Sequence, residues 1–374
     1  MLYLVAPANF YTGGPTAIFQ MCHFMRKQFG YPAIIAFTGA KEGIDPVHPN
    51  YKKYDCPWVL LAHVKDSKEN VIIIPETMTN LLYNFTKSKK VVYWLSVDNF
   101  LLSRFFYQKR ILSRVYNLFN FIEYCLGSLE YCFKIGLHWP KSFGNDIRRY
   151  TSCKEAYNFF KNSGLFFKNI DMHIVQSVYA MNFLLNAGVD KDKVFILREP
   201  LEDHFFNAQL DLKTKKNIIT FNARKSFAIT YKIISKIREY DKKIKIVPLE
   251  NVGREKMLYF LTLSKVYVDI GFHPGRDRPI REAGVLGNIV IVNRSGGCYY
   301  FDDCPIPDKY AIFCHDITCR DINPIRIAQL IIDYINNYDI YINDFKQFIE
   351  LIREEPEIYK RDLEVIVQQL TNMT

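Results

Sequence analysis

"DIGFHPGRDRPIREAGVLGNIVIVN", residues 269–293, is the stretch on which the fold turns. It closes an apolar run, "VYVDI", passes through a Gly/Pro turn rich in charge, opens a helix near Pro279, and ends in a second apolar run, "NIVIV". Strand, turn, helix and strand in so few residues is the repeat of a parallel sheet, whose neighbouring strands need a crossover helix. Ligands of such sheets bind outside the carboxyl ends of the strands, where this turn falls. Arg276, Arg278 and the amides of the helix start suit a diphosphate, and Glu282 is a double acceptor for ribose hydroxyls. The alternative is a surface ion-pair network, with Glu282 a first-turn acid favourable to the helix dipole. Gly271 and Gly275, which let backbone approach a ligand, favour the first reading.

The same rhythm runs outward in both directions. Apolar runs "LYLVA", "AIIAF", "VIIIP", "VVYWL" and "HIVQS" occupy the first half, and "NIITF", "KIKIVPL", "KVYVDI", "NIVIV" and "YAIF" the second. Spaced by helix-length segments, they predict parallel sheets covered on both faces, and so an α/β protein. A chain of 374 residues suits two such domains. The polar stretch from Asn207 to Lys216 is the expected hinge, giving domains over 1–206 and 207–350. The final segment, from about Tyr338 to Thr374, is helical in pattern and expected to break in two at Pro356, and 351–374 is expected to pack back on the first domain.

Composition excludes several classes. Apolar residues make up 49% and charged residues 24%, as in a folded globular chain. The "MLYLVAPANF" start reads as a first strand, since its apolar run is too short for a signal h-region. No uninterrupted apolar run reaches the ~18 residues of a spanning helix. The nine cysteines lack any CxxC pair, which predicts a reduced cytoplasmic setting. Cys298, Cys304, Cys314 and Cys319 lack the paired spacing of structural zinc sites. The net charge of +10 favours anionic partners. No zinc-finger, helix-turn-helix or RNP-like pattern accompanies it, so no specific nucleic-acid partner is expected.

Two further segments carry chemistry, and one departs from the rhythm. Gly13 and Gly14 follow the first strand and precede Pro15 and a helical apolar series. Paired glycines there make an anion-accepting helix start or merely a tight turn. "NARKSF" places Arg224 and Lys225 after the strand "NIITF", at the corner of the second sheet. From 101 to about 165 lies an expected helical insertion. Over 101–150 it interleaves aromatic rings with basic side chains, as a helix lying on an anionic membrane surface does, although packing on the first domain would produce the same pattern.

With these segments in place, the residues resemble a family. "QSVYAMNFLLNAGVDKDKVFILREPLEDHFF", "RKSF" and "HPGRDRPIREAGVLGN" are similar to segments of GT-B glycosyltransferases. "VYWLSVDNF" and "FDDCPIP" more narrowly resemble bacterial enzymes that build O-antigen or capsule polysaccharides. The resemblance implies two Rossmann-like domains facing a cleft. A UDP-sugar donor, of galactose or galactofuranose type, would lie on the second-domain side. Its base would lie near Pro248, Leu249 and Glu250; its diphosphate near Arg224, Lys225, His273, Gly275, Arg276 and Arg278; its ribose near Glu282. The acceptor, a glycan or lipid-linked glycan, would approach past Gly13 and Gly14. The resemblance also implies chemistry without a metal or other cofactor; with the cysteine usage and the basic insertion, the expectation is a cytoplasmic enzyme that works at or near the inner membrane face. Retaining members pair Glu282 with a second glutamate eight residues earlier; here that residue is Pro274. The stereochemical outcome therefore stays open, and so does the alternative of an inert nucleotide-sugar-binding subunit. Inversion needs a base for the acceptor hydroxyl, for which Asp98 and Glu76, both after first-domain strands, are the candidates.

Overall fold

A computed structural model describes residues 1–108, 167, 169–208, 210–223, 225, 227–250, 252–313 and 322–373. Most of the basic, aromatic insertion, together with Arg224, Cys314 and Cys319, lies outside the described residues. Among the described residues no helix is long and apolar enough to cross a membrane. The chain forms two compact units, which among the described residues part at Phe100/Leu101, inside the helix Val97–Gln108, at Pro200/Leu201 and again at Glu354/Glu355. The division at Pro200/Leu201 falls ahead of the polar stretch at 207–216, because Leu201 and Phe205 are already buried in the second core.

The first unit is a seven-stranded, wholly parallel sheet. β1 (Leu2–Pro7) leads into α1 (Gly13–Phe29), whose Ala17, Ile18, Met21, Cys22 and Met25 recur at helical spacing and are buried on the sheet. Gly30, at φ 61°, ends that helix by donating its N–H to the Met25 carbonyl, a conformation that suits glycine. There follow β2 (Ala33–Thr38), β3 (Trp58–Leu60), β4 (Val71–Pro75), β5 (Lys89–Trp94) and α2 (Val97–Gln108). β6 (Met172–Val175), α3 (Val178–Asn186) and β7 (Val194–Ile196) complete it. The strand order, β3-β2-β1-β4-β5-β6-β7, is that of a Rossmann sheet with its switch point between β1 and β4.

In the second unit β8 (Lys216–Phe221), α4 (Phe227–Tyr240), β9 (Lys245–Pro248), α5 (Arg254–Leu263) and β10 (Ser264–Asp269) come first. α6 (Arg278–Val285), β11 (Ile289–Asn293), β12 (Ala311–Ile312), α7 (Pro324–Asn336) and α8 (Lys346–Arg353) follow. Its parallel sheet has the order β12-β11-β10-β8-β9, so the direction of winding reverses between β8 and β10. The last helix, α9 (Glu355–Met373), places Tyr359, Leu363, Ile366 and Leu370 in the first unit's core. Every apolar run singled out in the sequence is a strand; β3 and β7, short and at the sheet edges, were not among them.

Candidate functional site

The second unit gathers polar side chains at the carboxyl ends of its strands, around the β8/β10 switch point. Asp269 ends β10 and is buried; its Oδ2 accepts from Asn222 Nδ2 at 2.9 Å and from the Tyr267 hydroxyl at 3.3 Å. Asn222 directly follows β8, so these contacts bridge the two strand ends. Lys225, in the same corner, donates to Asp277 Oδ2, and its Nζ lies 3.7 Å from Asp269 Oδ2. His273 is fully buried, and its Nδ1 is 2.8 Å from Asp277 Oδ2. Burial alone would raise the Asp277 carboxyl; the Lys225 ammonium and His273 outweigh it and hold that carboxyl far below the usual range.

Glycines build this corner. A Cβ on Gly271 would lie 2.3 Å from Lys225 Cβ, so the bare backbone at 271 is the slot along which the lysine reaches the carboxylates. Gly296 and Gly297, after β11, press their backbone on the 273–275 turn: their Cβ atoms would fall 1.9 Å from the His273 carbonyl oxygen and 2.1 Å from that of Gly275. The Gly297 N–H donates to the His273 carbonyl at 2.7 Å. Arg294 secures the loop beyond, donating to the carbonyls of Cys298, Cys304 and Ile306 and to Asp308.

Asp269, His273 and Asp277 each offer a ligand atom within 4.8 Å of the others, a set with the chemistry of a cation site. A cation already serves them, since the Lys225 ammonium bonds one carboxylate and neighbours the second. The donor set therefore fits a lysine better than a divalent ion that would have to displace it.

Glu282, in α6, is 1% exposed. Its Oε1 accepts from Arg254 Nη1 at 2.6 Å, while its Oε2 is buried without a hydrogen-bond partner among the described residues. His273 Nε2 is buried in the same condition. A buried polar atom left unpaired costs the desolvation of that atom, which a ligand group bonded to it would recover. Arg254 also reaches Glu202 Oε2 at 3.4 Å.

The residues expected from the sequence are thus partly gathered. Lys225 belongs to the corner after β8, His273, Gly275 and Arg276 to the turn after β10, and Arg278 and Glu282 to α6, with Arg278 buried at its first position. Pro248 ends β9, and Leu249 and Glu250 follow it at the same edge of the sheet. Asp269, Asp277, Asn222 and Arg254 were not singled out. The first two stand in the decisive stretch itself, where Asp277 alternates with Arg276 and Arg278 as solvated charge does and Asp269 closes an apolar run.

In the first unit Gly13 and Gly14 open α1 after β1, and Glu76 follows β4, so they flank the β1/β4 switch point. The Glu76 carboxyl is 2% exposed and accepts the Leu95 N–H at 3.0 Å. Burial pushes it up to about 8, with backbone donors opposing. Asp98, fully buried in the first turn of α2, accepts the Tyr179 hydroxyl at 3.0 Å. The cap of that helix is Ser96, whose Oγ accepts the Asn99 N–H at 3.1 Å. Both carboxyls are buried and hydrogen-bonded to a neighbouring element of the first unit.

No protein-family profile matches the chain, and no curated protein matches it in sequence. Solved structures do match in fold. HepE of Anabaena in complex with UDP is similar over 98% of this chain and 99% of its own, with 9% identity and a TM-score of 0.52. Sucrose-phosphate synthase of Thermosynechococcus elongatus is similar over 100% and 99%, at 10% identity and a TM-score of 0.59. The N-terminal domain of Candida albicans trehalose-6-phosphate phosphatase is similar over 100% and 97%, at 9% identity and 0.53. Identities this low speak for architecture and for nothing finer. With two parallel, Rossmann-like sheets matched across nearly the whole length, the chain has the GT-B fold.

Proposed function

We propose that the chain is a glycosyltransferase that takes a sugar from a uridine diphosphate donor and transfers it to a growing surface glycan. The observation that carries this reading is Glu282, a buried carboxylate at the ligand-binding edge of the second sheet with one oxygen held by Arg254 and the other unpaired among the described residues. A ribose hydroxyl is the donor that such an oxygen lacks. Arg276 and Arg278 on the adjoining turn, with the amides at the start of α6, offer charge for the diphosphate that leaves when the sugar is transferred. HepE, similar in fold, has been solved with UDP, with UDP-glucose, and with UDP and glucose.

In this reading the compensating charge at the switch point is the Lys225 ammonium and no metal is required, so UDP release continues in EDTA. The acceptor as a glycan or lipid-linked glycan at an anionic membrane surface rests on the sequence resemblance and on the basic insertion. The test is release of nucleoside diphosphate from a panel of nucleotide sugars, including hexopyranose and galactofuranose donors, with and without lipid extract. Donor-selective release abolished by Glu282→Ala is the expected result. Absence of both release and UDP binding in the unaltered protein overturns the reading.

A further inference from the structure

Glu282 does not stand alone. A carboxylate on a flexible side chain reads a hydroxyl only if its plane is fixed, because rotation by a fraction of its torsional well moves the accepting oxygen off it. Arg254, the first residue of α5, supplies that constraint: Nη1 lies 2.6 Å from Glu282 Oε1. Its other terminal nitrogen, Nη2, is 3.4 Å from Glu202 Oε2, and its guanidinium lies over the Phe205 ring at 5.9 Å. Glu202 and Phe205 are 5% and 1% exposed, so the arginine is gripped from behind by two buried side chains of one short segment. A planar fork between two carboxylates, backed by an aromatic ring, is an arrangement that lysine cannot reproduce.

We propose that Arg254 is the positioning residue that makes Glu282 a reader of ribose. By holding Oε1 it turns Oε2, unpaired and buried, toward the hydroxyls of the bound nucleotide; Glu202 and Phe205 keep the guanidinium in that pose. Arg254 does not itself touch the nucleotide. This inference rests on the reading of the site as a uridine diphosphate site.

The experiment is equilibrium binding of UDP, 2′-deoxy-UDP and 3′-deoxy-UDP to the full chain, comparing the unaltered protein with Glu282→Ala, Arg254→Met and Arg254→Lys. The unaltered protein prefers UDP over at least one deoxy analogue by about 10-fold, the worth of one hydrogen bond to a charged group. Glu282→Ala abolishes the preference. Arg254→Met reduces it to less than 2-fold while 2′-deoxy-UDP and 3′-deoxy-UDP bind as before, and Arg254→Lys falls between. Since Arg254→Met removes a cation from between two buried carboxylates, the double variant Glu202→Gln/Arg254→Met, with one of them neutral, provides the same readout in a better compensated fold. Equal weakening of all three ligands by the Arg254 substitutions means a merely structural arginine and overturns the inference alone. An unchanged preference overturns it as well. Absence of UDP binding, or of any ribose preference, in the unaltered protein overturns the site reading and the inference with it.

Discussion

Gly271 shows how one residue governs the electrostatics of the site. Its missing side chain is the space through which Lys225 reaches Asp277 and Asp269, and the nearest clash of an added methyl is with Lys225 Cβ, close to the backbone and unable to swing away. Gly271→Ala therefore expels the ammonium and leaves the two neighbouring carboxylates without that cation, Asp269 keeping Asn222 and Tyr267 as donors and Asp277 keeping His273. Carboxylates that lose this cation repel a diphosphate beside them, so UDP binding is expected to weaken at least ~10-fold, or about 1.4 kcal/mol. Titration calorimetry checks this. Binding within 2-fold of the unaltered protein means that the lysine's pose does not matter to the nucleotide. The position of the arginines and Glu282 between strand and helix was legible because Gly and Pro there interrupt two apolar runs. Asp269 and Asp277 were not, because their meaning depends on Lys225, more than forty residues earlier, and on a slot that no local pattern records.

Elements reach the site through their packing on one another. α6 carries Glu282 and is almost wholly buried, with Gly284 facing α8: a Cβ at 284 would lie 2.4 Å from Phe348 Cε1 and 3.2 Å from Ile352 Cδ1. Helix propensity alone favours alanine over glycine by ~1 kcal/mol, yet overpacking a closed helix contact costs ~1–3 kcal/mol. The two terms oppose, and the clash with a ring atom on a packed helix is the larger. Gly284→Ala is expected to lower the melting temperature of the second unit by a few degrees and to weaken UDP binding as α6 shifts, and differential scanning calorimetry with and without UDP reads both. A stabilised variant means that Phe348 rotates freely out of the way. Helix and strand identities came readily from the sequence, since β-branched runs and helical spacing are local signals. β3 and β7 did not, being three residues each, and neither did the point where the chain changes unit, which is set by whether Leu201 and Phe205 find their core in one sheet or the other.

At the scale of the whole molecule, the two units carry buried titratable groups with opposite consequences for stability. In the first unit Glu76 stays protonated up to about 8 in the folded chain, whereas in the unfolded chain it ionises near the ordinary glutamate value. Between those two values the folded state holds the extra proton, so stability falls as pH rises from about 4.5 to 8, by at most roughly 1.4 kcal/mol per pH unit. In the second unit Lys215 donates to the carbonyls of Leu261 and Ser264, and burial lowers it to about 7. Between about 7 and 10 the unfolded chain holds the extra proton, so there stability rises with pH. A chain of two compact units is not bound to unfold as one, and calorimetric transitions assigned by UDP binding are expected to move in opposite directions. The first unit's midpoint falls from pH 5 to 8 and the second's rises from pH 7 to 10. Glu76→Gln, which keeps an acceptor for the Leu95 N–H, flattens the first slope, and Lys215→Met flattens the second. Each substitution acts on its own transition only. If Glu76→Gln leaves the pH 5 to 8 slope of the first transition intact, the carboxyl is ionised in the folded chain, and the backbone donors around it outweigh burial at the first unit's switch point.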